Sequence, residues 1–254
     1  MAVQPTLVGG ALSINIEGRS GSRAELKVTF MTKGSDQQAE LGVLGTGRMG
    51  SRLAAMFARA GRRVVLGSRD CDRAQAIVDA LGLPTLRAGC YSDAVRAPAI
   101  LPALFIRDGM LDQLEPYCAA LKSKLLIDIS NPFNEDYSDF VTPWDSSGAE
   151  ELQRRFPQAQ VVGAFKNVFW EVFDHPEFGE QLSDVLITGD NEAAKTAFLA
   201  LAQGTPFRYL DAGPLIRSRT IERLTFITSS LGQQLNSYPR MNWRLLTQEA
   251  EQAA

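Results

Sequence analysis

The sequence predicts an α/β fold: a doubly wound, mostly parallel sheet with a small C-terminal α/β appendage. Three observations carry that expectation. Strand-like and helix-like stretches alternate from Leu41 onward, as in a parallel sheet covered by helices. A glycine-rich turn, Gly45 to Gly50, stands between the first strand and the first helix. The chain has 254 residues and 45% apolar content, enough to bury a sizeable core.

Residues 1 to 40 lie outside that pattern. Leu12 to Ile16 and Leu26 to Phe30 alternate like strands around the turn residues Gly18 to Ser22, which fits a hairpin. The other reading is a poorly ordered extension, and an isolated hairpin is only marginally stable, so residues 1–30 are expected to be dispensable. The first fold strand is Leu41 to Leu44, followed by a helix over Ser51 to Ala60. Arg63 to Leu66 reads as a second strand, and Asp72 to Leu81 as a helix stopped by Gly82-Leu83-Pro84. A short third strand lies near Leu86. Ile100 to Ile106 looks like a fourth, in which Pro102 is awkward because a central strand cannot spare an N–H; the strand either starts at Ala103 or carries a bulge. Leu111 to Leu121 reads as a helix and Lys124 to Ile129 as a fifth strand. The stretch from Asn131 to Gly148, rich in Pro, Ser, Asp and aromatics, is the longest irregular segment and a candidate active-site loop. A helix near Glu150 to Phe156 and a sixth strand at Val161 to Phe165 follow. Val185 to Thr188 and Phe207 to Leu210 are further strands around a helix, Glu192 to Ala202. A last long helix begins near Pro214 and runs to about Asn236, its stripe Leu215, Ile221, Leu224, Ile227 and Leu231 facing either the core or a second subunit.

Strand, glycine turn and helix in that order are what dinucleotide binding requires. Gly45 allows the tight turn, Gly47 lets a pyrophosphate approach the backbone, and Gly50 lets the helix pack close to the strand. The helix start adds unpaired N–H groups and a partial positive charge, so Gly45, Thr46, Gly47, Arg48, Met49 and Gly50 are candidate cofactor contacts. The second strand ends in Gly67-Ser68-Arg69, where an NAD site usually places an acid on the ribose. Ser68 and Arg69 can instead hold a 2′-phosphate, which favours NADP; Asp70, one residue on, is expected to cap the next helix. This organisation reads as an N-terminal extension (1–40), a Rossmann-type dinucleotide-binding domain (41–165) and a smaller acceptor-side domain (166–254).

Composition narrows the remaining classes. Lys and Arg total 26 against 29 Asp and Glu, a net charge of −3, which offers no broad footprint for nucleic acid or an anionic membrane. The three cysteines, Cys71, Cys90 and Cys118, form no C-x-x-C pair and leave an odd number, arguing against a disulfide framework and a structural metal site. With no apolar run of membrane-spanning length and no secretory signal pattern, a reducing cytoplasmic location is the expectation.

Taken together, Gly45 to Gly50, Gly67-Ser68-Arg69, Asp128-Ile129-Ser130-Asn131, Val161-Val162 with Ala164-Phe165, Thr188-Gly189-Asp190, and Leu210 to Leu215 leading to Ser218-Arg219 and Glu222 resemble one family. It is that of the NADP-dependent 8-hydroxy-5-deazaflavin reductases, related to the cytosolic oxidoreductase domain of the STEAP metalloreductases. The resemblance covers about residues 41 to 230. It implies the same Rossmann-type fold, a 2′-phosphate held by the Gly-Ser-Arg triplet, and cofactor contacts from Ile106 and Asn131. Ile106-Arg107-Asp108 departs from the apolar residue and proline that usually line the nicotinamide pocket. The loop with Pro132, Phe133, Tyr137 and Trp144, and the segment Lys166 to Trp170, also lack a family counterpart.

The chemistry expected is hydride transfer between NADPH and a flavin or 8-hydroxy-5-deazaflavin-like ring, which needs orientation more than a strong acid or base. An alternative is reduction of a small imine or carbonyl compound, with His175, Lys166 or Tyr137 as proton source. Each has a plainer role open to it: a loop residue, a solvated lysine, an aromatic anchor. A non-catalytic NADP sensor is the third possibility. The acceptor is expected between the loop Asn131 to Trp144 and the segment Lys166 to Trp170. The expected partner is a small-molecule or cofactor acceptor, with a homodimer through the last helix as a further possibility.

Overall fold

Near-continuous apolar runs build the sheet because its strands are covered on both faces. The computed structural model describes residues 38–247, so the expected hairpin within residues 12–30 lies outside the described residues. β1 (Leu41–Leu44), α1 (Arg48–Arg59), β2 (Val64–Ser68), α2 (Cys71–Leu81), β3 (Leu86–Cys90), α3 (Tyr91–Ala94) and β4 (Ala99–Pro102) form one half. α4 (Met110–Leu114), α5 (Cys118–Leu121), β5 (Leu125–Asp128), α6 (Gly148–Arg155) and β6 (Gln160–Gly163) follow. All pairings in this sheet are parallel, in the order β3-β2-β1-β4-β5-β6. The chain reverses its direction of travel between β1 and β4, and the loops leaving those two strands diverge to open a crevice.

Alternate residues of each strand feed opposite faces. Val43, Leu66, Leu101, Ile127 and Val162 pack with Leu53 and Phe57 of α1. Leu44, Val65, Ile100, Leu126 and Val161 pack with Met110, Leu114, Leu152 and Phe156 on the other side. The first face continues past the sixth strand, because Phe165, Val172, Val185, Phe198 and Phe207 join its cluster.

After β6 come a short antiparallel pair, β7 (Glu177–Phe178) and β8 (Gln181–Leu182), and a parallel pair, β9 (Asp184–Ile187) and β10 (Arg208–Asp211), joined through α7 (Glu192–Ala202). Gly163 and Thr188 exchange two backbone hydrogen bonds of 2.9 Å, which tie this appendage to the main sheet. The last helix, α8 (Ser218–Gln234), returns across the end of the sheet.

Several elements differ from the sequence reading. β4 ends at Pro102 rather than starting after it; the proline closes the strand opposite Leu44, and Ala103 then donates to the Leu44 carbonyl at 2.7 Å. The helix expected over residues 111–121 is split by a 3₁₀ turn at Glu115–Tyr117, where Pro116 removes a donor. The last helix starts at Ser218, after a 3₁₀ turn over Leu215–Arg217. Its expected stripe is core-facing only at first: Leu215 and Ile221 are buried, whereas Ile227 and Leu231 face solvent. The cysteine expectation also fails. Cys71 and Cys90, 19 residues apart with Cα atoms at 5.0 Å, form a disulfide, and Cys118 is free. Spacing hid the pair because the parallel register, with Ser68 opposite Cys90, is what brings them together.

No helix among the described residues is long and apolar enough to cross a membrane.

Candidate active site

β1 delivers the chain into a turn that only glycine tolerates. Gly45 has φ +112°, and a Cβ there would meet the Ala103 carbonyl oxygen at 2.6 Å. A Cβ at Gly50 would lie 1.9 Å from the Gly45 carbonyl oxygen, so α1 packs directly on the turn. Gly47 is the opposite case, with nothing within 4 Å of an added Cβ. It precedes α1 as its N-cap, offers no capping side chain, and no acidic residue stands in the first turn. The helix therefore presents its partial positive charge to open space.

At the end of β2, Ser68 is buried and its Oγ accepts from the Asp70 N–H at 3.2 Å. The Asp70 carboxylate accepts from the Arg73 N–H at 3.2 Å, so it caps α2 as expected. Arg69 is exposed. Burial pushes the neighbouring Tyr91 phenol up, while the Arg69 charge opposes it.

A cavity of about 470 Å³ opens between the glycine turn and α8. Gly47, Arg48, Met49 and Asn131 line it, while Ile106 is outside the lining and packs against the core beneath the α4–α6 face, leaving Leu104 and Phe105 at the cavity wall. Asn131 donates from Nδ2 to the Lys166 carbonyl at 2.8 Å. That fixes the amide, and its buried Oδ1 is left without a partner among the described residues, an acceptor open to a bound group.

The other walls are aromatic. Phe169 and Trp170 line one side, with the Arg48 guanidinium 4.3 Å from the Trp170 ring centre. Phe133 lies opposite, packed on Tyr137, Phe140 and Phe226 at centroid distances of 5.2 to 5.4 Å. Arg107 clamps this loop: it donates to the carbonyls of Phe133 and Asn134 and, at 2.8 Å, to the Tyr137 hydroxyl, while stacking on Phe105 and Tyr137. Trp144 does not reach the cavity; it is 76% exposed and stacks on Arg223. Phe226, Thr225, Ser229 and Gln233 of α8, and Tyr238 beyond it, complete the lining. Sequence reasoning missed these residues, because attention to the apolar stripe of α8 hid the four-residue spacing of Thr225, Ser229 and Gln233.

Lys166 is neither a solvated lysine nor an available proton donor. Its ammonium is buried, and donates to Asp128 Oδ2 at 2.5 Å, the Ser130 carbonyl at 2.6 Å and Glu222 Oε1 at 2.7 Å. Three acceptors use all its protons. Burial works against the ammonium, but the Asp128 and Glu222 carboxylates outweigh it and hold Lys166 above its ordinary range. Burial likewise pushes Glu222 up against the pull of Lys166. The second Glu222 oxygen accepts from the Gly148 N–H at 3.0 Å, joining the N-terminus of α6 to the cluster. His175 is exposed and outside the cavity lining. Of the three proton-source candidates, Tyr137 alone offers a hydroxyl at the cavity.

Residues 40–132 match the family model described as NADP oxidoreductase, coenzyme F420-dependent. The chain is 28% identical to the F420-dependent NADP reductase of Methanocaldococcus jannaschii, over 71% of this chain and 86% of the relative. It is 30% identical to the metalloreductase STEAP3 of Rattus norvegicus over 73% of this chain, but spans only 36% of that relative's length. Among solved structures, one described as a putative F420-dependent NADP reductase from Arthrobacter superposes with a TM-score of 0.70 at 23% identity, covering 82% of this chain and all of the other. An imine reductase from Bacillus cereus gives 0.54 at 20% identity, over 76% and 61%. Both structural likenesses speak to the fold. The chain is thus similar to NADP-dependent oxidoreductases.

Two variants test the geometry. Gly47→Val is expected to abolish binding of NADPH and NADH without lowering the melting temperature, since its side chain enters open space in the native fold but fills the approach to α1. Isothermal titration beside a melting curve reads both, and unchanged binding refutes the assignment. Lys166→Met leaves two carboxylates buried without their cation, and is expected to cost about 3–5 kcal/mol in denaturant unfolding at neutral pH. Burial already pushes Glu222 up, and without Lys166 that push is no longer opposed by the ammonium. Groups so raised stabilise most below the unfolded pKa and lose that contribution as pH rises, so the deficit shrinks on acidification from pH 8 toward 5.

Proposed function

We propose that the protein transfers hydride between NADPH and a planar flavin or 8-hydroxy-5-deazaflavin-type ring lying in the aromatic cavity. The observation that carries this reading is the wall itself: Phe133, Phe169, Trp170 and Phe226 offer flat apolar surfaces, and the ammonium at the cavity floor is saturated. Two rings held face to face exchange hydride through positioning and exclusion of water, with no strong acid required. The family match and the F420-dependent relatives support the same acceptor class.

In this reading NADPH supplies the hydride, and the chain's own residues place it. The backbone of Gly45, Thr46, Gly47, Arg48, Met49 and Gly50 holds the pyrophosphate at the start of α1. Ser68 and Arg69 take the 2′-phosphate, and the open Asn131 Oδ1 accepts from the nicotinamide carboxamide, fixing which ring face meets the acceptor. Asn131 lies one residue beyond the Ser130 carbonyl that Lys166 holds, so its position is inherited from the buried ionic cluster. Arg107 holds the Phe133–Tyr137 loop over the cavity. The volume of about 470 Å³ lies within the range of about 300–1,000 Å³ usual for small-molecule sites.

One observation favours a second reading, reduction of an imine or carbonyl compound. Tyr137 accepts from Arg107, so its own hydroxyl proton is free to be given toward the cavity.

NADPH oxidation is to be followed with flavin mononucleotide, 8-hydroxy-5-deazaflavin, a cyclic imine and an aldehyde. Turnover with the ring acceptors is expected. Arg107→Ala should raise KM for the acceptor about tenfold, equivalent to about 1.4 kcal/mol, while KM for NADPH stays nearly unchanged. Turnover with the imine or aldehyde alone, lost in Tyr137→Phe, overturns the first reading in favour of the second. Arg69→Ala is expected to lose about 1.5–3 kcal/mol of NADPH affinity and little NADH affinity, as for hydrogen bonds to a charged group. Equal losses for both cofactors would remove the 2′-phosphate assignment.

A further inference from the structure

β2 and β3 end side by side. Their parallel register pairs Ser68 with Cys90, so the turn entering α2 and the turn entering α3 lie against each other. Cys71 is the first residue of α2 and Cys90 is the N-cap of α3. The disulfide between them closes a small ring that runs from Ser68 through Arg69 and Asp70 to Cys71, and back across the strand pair to Cys90. Arg69 sits inside that ring, and Tyr91, whose phenol feels the Arg69 charge, follows Cys90 directly. Each arm is further pinned by a local backbone-to-side-chain hydrogen bond, Asp70 N–H to Ser68 Oγ at 3.2 Å and Cys90 N–H to Asp93 Oδ2 at 3.0 Å. The bond therefore fixes the segment that carries Ser68 and Arg69. Neither cysteine is in the core; both are half-buried, and a thiolate can approach them from solvent.

We propose that Cys71 and Cys90 form a reversible redox clip on the 2′-phosphate site, which holds that site in its NADP-binding geometry as a disulfide and relaxes it as a dithiol. The inference rests on the assignment of Ser68 and Arg69 to the 2′-phosphate. Reduction takes a dithiol, either a small molecule or a protein dithiol. One of its thiolates attacks a clip sulfur and breaks the Cys71–Cys90 bond, forming a mixed disulfide. Its second thiolate then displaces the remaining cysteine. Two electrons and two protons pass to Cys71 and Cys90, and the dithiol leaves as a disulfide; a disulfide oxidant runs the exchange in reverse. The effect on binding is one of preorganisation. With the bond made, the turn spends no further conformational freedom when Arg69 takes up the phosphate; with it broken, that freedom is lost on binding. NADH has no 2′-phosphate, so its affinity does not follow the clip.

The test uses the full chain equilibrated with either oxidised glutathione or dithiothreitol, then freed of reagent. Free thiols are counted by intact mass after alkylation under denaturing conditions. One alkylated cysteine, Cys118, is expected in the oxidised protein and three in the reduced protein. Titration should show NADPH bound about three- to tenfold more weakly after reduction, with NADH affinity unchanged, an effect of the size expected for ordering one or two side chains. Cys71→Ser and Cys90→Ser should give the weaker NADPH value under both conditions, and Cys118→Ser should keep the redox response. Three alkylated cysteines under both conditions, or equal NADPH affinity in the two redox states, overturns the clip. Arg69→Ala separates this from its premise. If Arg69→Ala abolishes the NADPH preference while reduction leaves the wild type unchanged, the clip fails and the 2′-phosphate assignment stands. An Arg69→Ala protein that keeps its NADPH preference overturns both.

Discussion

An ammonium buried between two carboxylates positions the crevice. Lys166 follows β6, Asp128 ends β5, Glu222 lies on α8, and the same glutamate holds the first amide of α6, so one cluster ties together four elements that are far apart in sequence. Buried charge is costly, and such a cluster persists only when every ionised group is paired and hydrogen-bonded. Here Lys166 gives its protons to three acceptors, and Asp128 also receives the Ser130 amide and hydroxyl at 3.0 and 2.7 Å. The consequence reaches the cavity through the backbone. Ser130 is held on both sides, so the next residue, Asn131, has a fixed exit direction, and the Lys166 carbonyl in turn fixes its amide.

The nucleotide side depends on a different economy, the absence of side chains. Gly50 brings α1 into contact with the turn at Gly45, and Gly47 leaves the helix start uncovered. Asp70 follows Arg69 directly in sequence, and its carboxylate is engaged in capping α2. The Arg69 guanidinium has no salt-bridge partner among the described residues and is exposed at the end of β2. In the proposed reading, what distinguishes this site from an NAD site is the use made of the aspartate as much as the presence of the arginine.

The fold was legible because its signals are local. Apolar runs, the glycine turn, Asp70 before a helix and Gly82 after one each depend on nearby residues, and each forms as read, with Gly82 in the left-handed conformation at φ +60°. Failures came where tertiary register decides. Cys71 and Cys90 are neighbours only because β2 and β3 pair in parallel, and Lys166 meets Glu222 across 56 residues of sequence. A lysine beside aromatics reads as solvated or catalytic when its two acids cannot be located. Pro102 misled for a related reason: it closes a strand, and a sequence pattern does not reveal which end of a run a proline occupies. Ile106 was displaced from the cavity by the 3₁₀ turn over residues 106–108, which leaves Phe105 at the wall.

The two halves of the crevice are held by separate means, and this bears on how an acceptor is chosen. The glycine turn and the end of β2 are built into the sheet, whereas the Phe133–Tyr137 loop is held by the Arg107 side chain, by local bonds such as Asp139 N–H to Asn134 Oδ1, and by its stacked rings. Tyr137 adopts φ +62°, a conformation a tyrosine enters at some cost, so the loop keeps its shape through the clamp and the stacked rings rather than by local preference. Substitutions in this loop can thus reshape the acceptor wall without disturbing the strands that carry the nucleotide. Asn131, at the cavity between them, is anchored to the buried cluster beneath both halves. In the proposed reading, specificity for the acceptor and specificity for the dinucleotide are accordingly set by different residues that share one floor.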